Sequence, residues 1–232
     1  MTLEEVLEEL RGLAEPEKVL FKQKKFGVIA NNSLGVYQRD LNALARRIKK
    51  NDQLALELFD TGLYEARVLC SKIYSPKNVT SDLMEKWVVT FENWEICDSF
   101  SMALFAKSPL AMEKIDQWIK REREFEKRAG FATIAALCMA DKKAPNDVFE
   151  NFLNYIEQAS NDNRLYVKKA VNWALRNIGK RNPDLNKAAI STAQRILEQG
   201  SQSARWIAQD ALRELSKPDV RMSDYPRHIY RP

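Results

Sequence analysis

Hydrophobic periodicity constrains this chain more than any other feature of its sequence. Apolar residues recur at three- and four-residue steps along almost the whole length, and the two-residue alternation of a β-strand is never sustained. With 7 Gly and 8 Pro among 232 residues, the chain lacks the turn residues that a β-sandwich or a long linker needs. We predict an all-α fold with a capping box at Thr2 and further helices near 17–29, 36–49, 52–59, 62–74, 81–91, 94–106, 109–119, 122–140, 145–159, 163–180, 183–199 and 202–215.

The predicted helices form pairs that repeat about every 35–45 residues, a spacing typical of helical repeats. Basic residues followed by small or apolar ones occupy similar positions in these pairs, and Arg128, Lys169 and Arg205 lie about 40 residues apart. Stacked helix pairs form a solenoid with a concave inner surface. We therefore predict one HEAT-like repeat domain over residues 1–216, followed by an irregular and loose C-terminal tail over 217–232.

Residues that build metal and nucleophilic sites are sparse. The cysteines Cys70, Cys97 and Cys138 lie in apolar stretches and form no CxxC pair, which argues against disulfides or zinc and favours a reducing cytoplasm. His228 is the only histidine, so a histidine-based triad lacks its base at a preorganised position. The acidic N-terminus is unlike a signal peptide, and no run of about 18 apolar residues could span a membrane. We expect no metal, no cofactor and no membrane partner, and nothing in the sequence requires a dimer.

The segment 164–181 carries the clearest candidate surface, with six basic residues and no acid. At 100° per residue its apolar side chains form one stripe. That stripe consists of Val167, Val171, Ala174 and Ile178. Lys169, Trp173, Arg176 and Lys180 share the opposite face. A helical tryptophan usually packs in the core. Here the aliphatic stripe lies elsewhere, which predicts a tryptophan exposed among cations, as in surfaces that bind phosphates and bases.

A second candidate is the pair Trp94 and Asp98, which are four residues apart and share one helix face. Ile96, Phe100 and Ala103 lie mostly on the other side of that helix. In one interpretation, Asp98 simply interacts with the helix dipole near the N-terminal turn. In the other, its carboxylate is held against an aromatic wall, where it can stabilise positive charge. The spacing alone is a weak signal.

Charge is segregated along the chain. The net charge is +5, but the first 18 residues carry −4 and residues 19–50 carry +7. Arg128 follows a mixed-charge stretch of the kind that usually marks a solvated helix start, yet it shares a face with Arg121 and could reach phosphates. For a solenoid, this distribution predicts a concave basic groove that binds nucleic acid.

Together these residues resemble the AlkD family of DNA alkylation-repair glycosylases, which have HEAT-like repeats. The resemblance runs from about Phe26 to Leu215. It rests on Trp94-Glu95-Ile96-Cys97-Asp98, on Lys127-Arg128-Ala129, on Lys169-Ala170-Val171-Asn172-Trp173-Ala174-Leu175-Arg176 and on the Leu34-Gly35-Val36 turn. The Asn31-Asn32-Ser33 loop, the short acidic N-terminal helix and the tail around Tyr225-Pro226-Arg227-His228 depart from the family's best-known member.

The resemblance implies a monofunctional glycosylase that excises cationic N3- or N7-alkylpurines from double-stranded DNA. It implies that Asp98 stabilises the positive charge on the deoxyribose while Trp94 and Trp173 flank the lesion. It also implies phosphate contacts from Arg128 and Arg176. The remaining basic residues predicted to bind DNA are Lys169, Lys180 and Arg205. The lesion would be handled from the backbone side, without a deep base-flipping pocket.

Two other functions are compatible with a basic HEAT-like solenoid. One is a non-catalytic protein that binds distorted or branched DNA, which needs the basic groove but has no use for Asp98. The other is an adaptor for an acidic protein partner, in which Trp173 anchors the partner. The joint presence of two tryptophans, an aspartate and two arginines at compatible spacing favours the glycosylase. This set consists of Trp94, Asp98, Arg128, Trp173 and Arg176.

Overall fold

A computed structural model describes residues 1–231, and every regular element in that range is helical. The helices are α1 Leu3–Gly12, α2 Pro16–Phe26, α3 Gln38–Ile48, α4 Asp52–Asp60, α5 Tyr64–Ile73, α6 Ser81–Val88, α7 Trp94–Ala103, α8 Ala111–Trp118, α9 Glu124–Ala140, α10 Asn146–Ala159, α11 Leu165–Gly179, α12 Pro183–Glu198, α13 Gln202–Leu215 and α14 Arg227–Tyr230. A 3-10 turn, Phe105–Lys107, follows α7. Across residues 1–231, no helix has the length and apolar character needed to cross a bilayer.

The helices begin where short polar side chains can cap them. Thr2 and Glu5 form the predicted capping box, in which each side chain bonds to the other residue's backbone N–H. Asn51, Thr80 and Ser201 each accept a hydrogen bond from the first turn of the helix that follows. Helix α2 ends at residue 26, three residues earlier than predicted, because Gly27 adopts a left-handed conformation (φ 66°) that terminates it. The predicted all-α fold is confirmed.

The chain forms two compact units, an N-terminal unit of residues 1–110 and a C-terminal unit that begins at Ala111. In the N-terminal unit, α5 packs between α3 and α7, while α4 packs on α5 and α1 contacts α4 and α5. Its core contains an aromatic cluster with ring centroids 5.1–6.2 Å apart. The cluster consists of Phe59, Trp87, Phe91, Phe100 and Phe105.

The turn before α3 is held by the carboxylate of Glu65, which α5 places in the interior, 1% exposed. Its oxygens accept hydrogen bonds from the Ser33 hydroxyl at 2.7 Å and from the backbone N–H groups of Leu34, Gly35 and Val36 at 2.9, 2.8 and 3.3 Å. Gly35 has φ 81°, and a Cβ there would lie 2.2 Å from a backbone oxygen of Glu15. One buried side chain therefore anchors a whole loop.

In the C-terminal unit, consecutive helices pack as the pairs α8–α9, α10–α11 and α12–α13. Helices α9, α11 and α13 lie side by side in one layer, and α10 and α12 lie in the other. Helix α9 is buried without interruption from Arg128 to Cys138. This two-layer stacking of helix pairs is the arrangement of a helical repeat. The prediction of a single domain over residues 1–216 stays a prediction.

We expect Gly130→Ala to destabilise the C-terminal unit. A Cβ at this position would lie 2.7 Å from Ile119 Cγ2 and 2.9 Å from the Ile119 backbone nitrogen, so the backbone itself would have to move. Overpacking of this kind costs about 1–3 kcal/mol. Thermal or urea unfolding would measure the loss. Gly12→Ala is the matched control, since a Cβ there meets nothing within 4 Å. Equal stability of the two variants would contradict the close approach.

The prediction of a loose C-terminal tail is wrong for residues 223–230, because this segment docks on the C-terminal unit. Backbone N–H groups of Ser223 and Tyr225 donate to the carbonyls of Lys180 and Arg181 at 2.9 and 3.1 Å. The Tyr225 side chain is buried. Asn182 Nδ2 donates to the Tyr225 carbonyl at 2.7 Å. Residues 227–230 form the one-turn helix α14, which the helical period could not predict. Partners distant in sequence order this tail.

Candidate functional site

Helix α7 begins at Trp94 because Asn93 caps it. The Asn93 Oδ1 accepts hydrogen bonds from the N–H groups of Glu95 and Ile96 at 2.9 and 3.1 Å. Its Nδ2 donates to the carbonyl of Ile29 at 2.9 Å, so the same buried side chain ties the helix start to the loop after α2. This cap sets the rotation of α7 and therefore the direction in which Trp94 and Asp98 project.

Trp94 and Asp98 both lie outside the packed core on α7. Ile96 and Phe100, predicted on the opposite side, are fully buried, whereas Trp94 and Asp98 are half-buried. The Trp94 indole Nε1–H donates to the backbone carbonyl of Phe26 at 2.9 Å, which holds the ring in one orientation. The carboxylate of Asp98 lies one helical turn further along the same side. An ordered ring and a carboxylate at this spacing can together stabilise a cation.

The neighbouring acid, Glu95, belongs to a hydrogen-bond network at the start of α7. Its carboxylate accepts hydrogen bonds from Lys22 Nζ at 3.2 Å and from the Tyr64 hydroxyl at 3.0 Å. Burial and the adjacent negative charge of Glu95 raise the pKa of Tyr64 far above its ordinary value, so the phenol stays a neutral donor. The Tyr64 hydroxyl oxygen also lies 3.1 Å from Asn93 Oδ1. These contacts give Glu95 a structural role in supporting the α7 cap.

In the C-terminal unit, α11 presents the faces that its sequence predicts. Its aliphatic stripe is fully buried, as expected for Val167, Val171, Ala174 and Ile178. Lys169 is exposed and Trp173 is half-buried, outside that stripe. Arg205, on α13, is exposed. The tryptophan therefore does not belong to the fully buried core, which is the condition that its proposed contact with a ligand requires.

Arg128 lies in the interior, 5% exposed, in contrast to the solvated position expected from its mixed-charge surroundings. Its Nη1 donates to the backbone carbonyl of Tyr166 at 2.7 Å, which links α9 to the first turn of α11. The stretch that follows Arg128 is buried on all sides of α9, and this carries the arginine inward with it. A phosphate contact by Arg128 stays a prediction.

Arg176 and Lys180 have acidic partners on α13. Both form ion pairs with Glu214, with Lys180 Nζ 2.8 Å from Oε1, and Arg176 Nε also lies 3.6 Å from a carboxylate oxygen of Asp210. Burial would raise the pKa of Glu214, but hydrogen bonds from Lys180 and Arg176 outweigh it and lower that pKa. The acid-free segment 164–181 is therefore partly neutralised by a neighbouring helix, and DNA binding by these two cations stays a prediction.

Other basic residues counted in the sequence are also paired. Asp162 forms ion pairs with Lys127 at 3.1 Å and with Arg164 at 2.5 Å. Burial alone would raise the pKa of Asp162, yet hydrogen bonds from Arg164 and Lys127 bring it to about 2. In the basic stretch 19–50, Lys22 pairs with Glu95 and Arg47 pairs with Glu9 of the acidic first helix. The segregation of charge along the sequence is therefore reduced in three dimensions. The concave basic groove stays a prediction.

A known protein family matches most of this chain. The sequence profile described as DNA alkylation repair enzyme matches residues 6–215. The chain belongs to this family. The match runs from α1 to the end of α13 and includes every predicted catalytic and DNA-binding residue.

Among relatives of this chain, the uncharacterized protein Lin0241 of Listeria innocua serovar 6a (strain ATCC BAA-680 / CLIP 11262) is 26% identical over 134 residues. The alignment covers 56% of this chain, and this chain spans about 60% of the length of that curated relative. A solved structure has a TM-score of 0.77 at 18% identity and covers 96% of this chain and 97% of its own. It belongs to a family related to the HEAT-like repeat DNA glycosylases, with affinity for branched DNA structures. The likeness confirms the HEAT-like fold. A designed armadillo repeat protein has a TM-score of 0.39 against this chain.

The predicted site residues of this DNA alkylation repair family member divide between its two units. Trp94 and Asp98 belong to the N-terminal unit, which brings them together on α7. The C-terminal unit brings Lys169, Trp173 and Arg176 together on α11. It also contains the remaining basic residues, Arg128, Lys180 and Arg205. The meeting of the two sets around one lesion stays a prediction.

Sequence reasoning missed one residue of this candidate surface, Trp206 on α13. It is 39% exposed, and Lys168 Nζ lies 5.4 Å from the centre of its ring. The test applied to Trp173 would have found it, because the buried stripe of α13 excludes position 206. That stripe consists of Ala204, Ile207, Ala208, Ala211 and Leu215.

Proposed function

We propose that the protein is a monofunctional DNA glycosylase that hydrolyses the N-glycosidic bond of N3- and N7-alkylated purines in duplex DNA. The observation that carries the proposal is the pair formed by Trp94 and Asp98. The two lie one turn apart on α7, outside the core, with the indole held by the carbonyl of Phe26. Membership of the DNA alkylation repair enzyme family supports it.

An alkylated purine requires few catalytic groups from the protein. Alkylation at N3 or N7 makes a purine cationic, and the cationic base leaves without strong acid assistance. The remaining demand is to stabilise positive charge on the deoxyribose as the bond breaks, which a preorganised carboxylate does electrostatically. Asp98 would perform this role and orient the attacking water. No lysine nucleophile is needed, so the product is an abasic site.

The aromatic and basic residues would hold the nucleotide. The faces of Trp94 and Trp173 would attract the cationic sugar and base, each by roughly 0.5–2 kcal/mol. Lys169 and Arg205, which are exposed, are the cations best placed to meet phosphates directly. Arg176 would do so by exchanging its Glu214 partner for a phosphate oxygen. Arg128 and Lys180 complete the proposed DNA-binding set.

The direct test is to incubate the protein with N-methylated duplex DNA and to separate freed bases by chromatography. We expect 3-methyladenine or 7-methylguanine to be released, and the strand to stay intact until alkali cleaves the abasic site. Unmethylated duplex is the control and should release nothing. Absence of any freed base from a folded preparation would overturn the proposal.

A second candidate is non-catalytic binding of branched DNA. The structural relative at TM-score 0.77 is described as having affinity for such structures, which favours this alternative. It predicts tighter binding to a four-way junction than to linear duplex, steep weakening with salt, and no base release. Gel-shift titration of junction and duplex, run beside the chromatography, separates the two candidates.

We also propose a monomeric protein in a reducing cytoplasm. Cys70, Cys97 and Cys138 are free thiols, and all three are buried. Burial raises the pKa of the Cys138 thiol to about 12 and raises that of Cys70 as well, so both remain protonated and unreactive. Such thiols favour a reducing compartment.

A further inference from the structure

Trp206 on α13 and Lys168 on α11 form an exposed aromatic and cationic pair that the proposed catalysis does not use. Lys168 Nζ lies over the indole, 5.4 Å from the centre of the ring. With that contact made, Trp206 is still 39% exposed. The contact with the cation restrains the ring on the surface. The pair therefore leaves a flat apolar face and a positive charge within reach of a ligand.

This pair lies on the side of α11 that faces α13, apart from Trp173. At 100° per residue, Lys168 and Trp173 project about 140° from each other. Asn172, one turn after Lys168, donates to a carbonyl of α13 at 3.1 Å. Asn177, one turn after Trp173, donates to a carbonyl of α9 at 3.0 Å. Trp206 is therefore an aromatic surface separate from the one predicted to meet the lesion.

The cations beside Trp206 have no acidic partner in direct contact. Helix α11 contains no acid, and the acids around it are engaged elsewhere. Asp210 and Glu214 on α13 pair with Arg176, Lys180 and Arg213, and Asp162 before α11 pairs with Lys127 and Arg164. On the α9 flank, Glu124 accepts the N–H of Tyr166 at 3.0 Å. Lys168, Lys169 and Arg205 take part in none of the ion pairs formed among residues 1–231.

Amide and apolar side chains extend the surface around the ring. Gln202 and Gln209 lie four residues before Trp206 and three residues after it, so they share its face of α13, and both are exposed. An amide both donates and accepts hydrogen bonds, which suits the polar edge of any base. Leu165, 46% exposed, lies one turn before Lys168 on α11.

We propose that Trp206 stacks on an unpaired base of a DNA strand, with the neighbouring phosphates held by Lys168, Lys169 and Arg205. A nucleotide uses both features of this surface, because its base has a flat face and its phosphate is an anion. An acidic peptide would use the cations and leave the ring without a partner. Bases inside an intact duplex are stacked on both faces, so the ligand is DNA with an unpaired nucleotide. This inference rests on the proposed binding of DNA and does not require base release.

The test measures the affinity of wild type and Trp206→Ala for two unmethylated DNAs, a 20-mer duplex and the same duplex with a two-nucleotide bulge. We expect Trp206→Ala to bind the bulged DNA about 5- to 100-fold more weakly, the range for the loss of one base–aromatic stack, and to bind the paired duplex within about twofold of wild type. Trp206→Tyr keeps an aromatic face and should lose about threefold at most. The fluorescence of 2-aminopurine in the bulge should be quenched by wild type and not by Trp206→Ala.

Leu197→Ala is the matched control, since Leu197 is 37% exposed on α12, in the other layer of the same unit. Wild type that does not bind the bulged DNA, or Trp206→Ala that binds it as wild type does, overturns the proposal. An equal loss on bulged and paired DNA also overturns it. So does weaker binding of poly-glutamate by Trp206→Ala with both DNA affinities unchanged, which would assign the surface to an acidic protein. Selective loss on bulged DNA supports the stack even where methylated DNA releases no base.

Discussion

Asp98→Asn is expected to lower base release from N-methylated duplex DNA by about 100- to 1,000-fold, the usual cost of removing one preorganised electrostatic group. The amide keeps the size and shape of the side chain, so the fold and the position of Trp94 should persist. What is lost is the negative charge that opposes the developing cation on the deoxyribose. Single-turnover release of methylated bases at saturating protein measures this step without a contribution from binding.

Duplex affinity is the second measurement for this variant. We expect affinity for linear duplex to stay within about twofold, because phosphate contacts dominate binding and Asp98 makes none. Asp82→Asn on α6 is the matched control, since it makes the same chemical change at an exposed acid of the same unit. Undiminished release by Asp98→Asn would refute the electrostatic role. Absent release by wild type, with preserved junction binding, would favour the branched-DNA alternative.

Glu65→Ala is expected to lower the free energy of unfolding by about 3–5 kcal/mol, a loss in the range that breaking a buried hydrogen-bond network produces. The substitution removes the sole carboxylate that accepts from Ser33, Leu34, Gly35 and Val36. Three backbone N–H groups then lose the carboxylate in a region with little access to water, and only that of Gly35 keeps another acceptor, the Ser33 hydroxyl oxygen at 3.3 Å. Urea denaturation followed by circular dichroism measures the difference.

Ser33→Ala is the matched comparison for Glu65. It deletes one donor to the carboxylate and a second acceptor of the Gly35 N–H, and it leaves the carboxylate with its three backbone partners. Its expected cost is about 1 kcal/mol. The ratio of the two losses in the free energy of unfolding tests whether Glu65 acts as an anchor for the loop or as an ordinary polar side chain. Equal losses would contradict the anchoring role.

Several features of the site follow from local sequence. The four-residue spacing and the apolar positions of α7 together predict that Trp94 and Asp98 share a side away from the core. The aliphatic stripe of α11 predicts that Trp173 lies outside the buried interior, and it does. Caps and helical period are decided by neighbours within four residues, and so one sequence is enough to read them.

Other features depend on partners that no local pattern reveals. Arg176 meets Glu214 across 38 residues, and Arg128 reaches the Tyr166 carbonyl across another 38. Counts of charge along the chain treated both arginines as available to phosphates. Only packing of α9, α11 and α13 brings these groups into contact, because ion pairs and buried hydrogen bonds depend on distance in space.

By itself, the sequence determined the helices, their capped starts and the faces that they turn toward the core, since these follow from backbone hydrogen bonding and burial of apolar side chains within each segment. The tertiary structure alone decided which charges pair with one another, how Glu65 holds its loop and where the C-terminal tail docks. Those outcomes depend on groups that lie far apart in the chain and meet only when the helices pack.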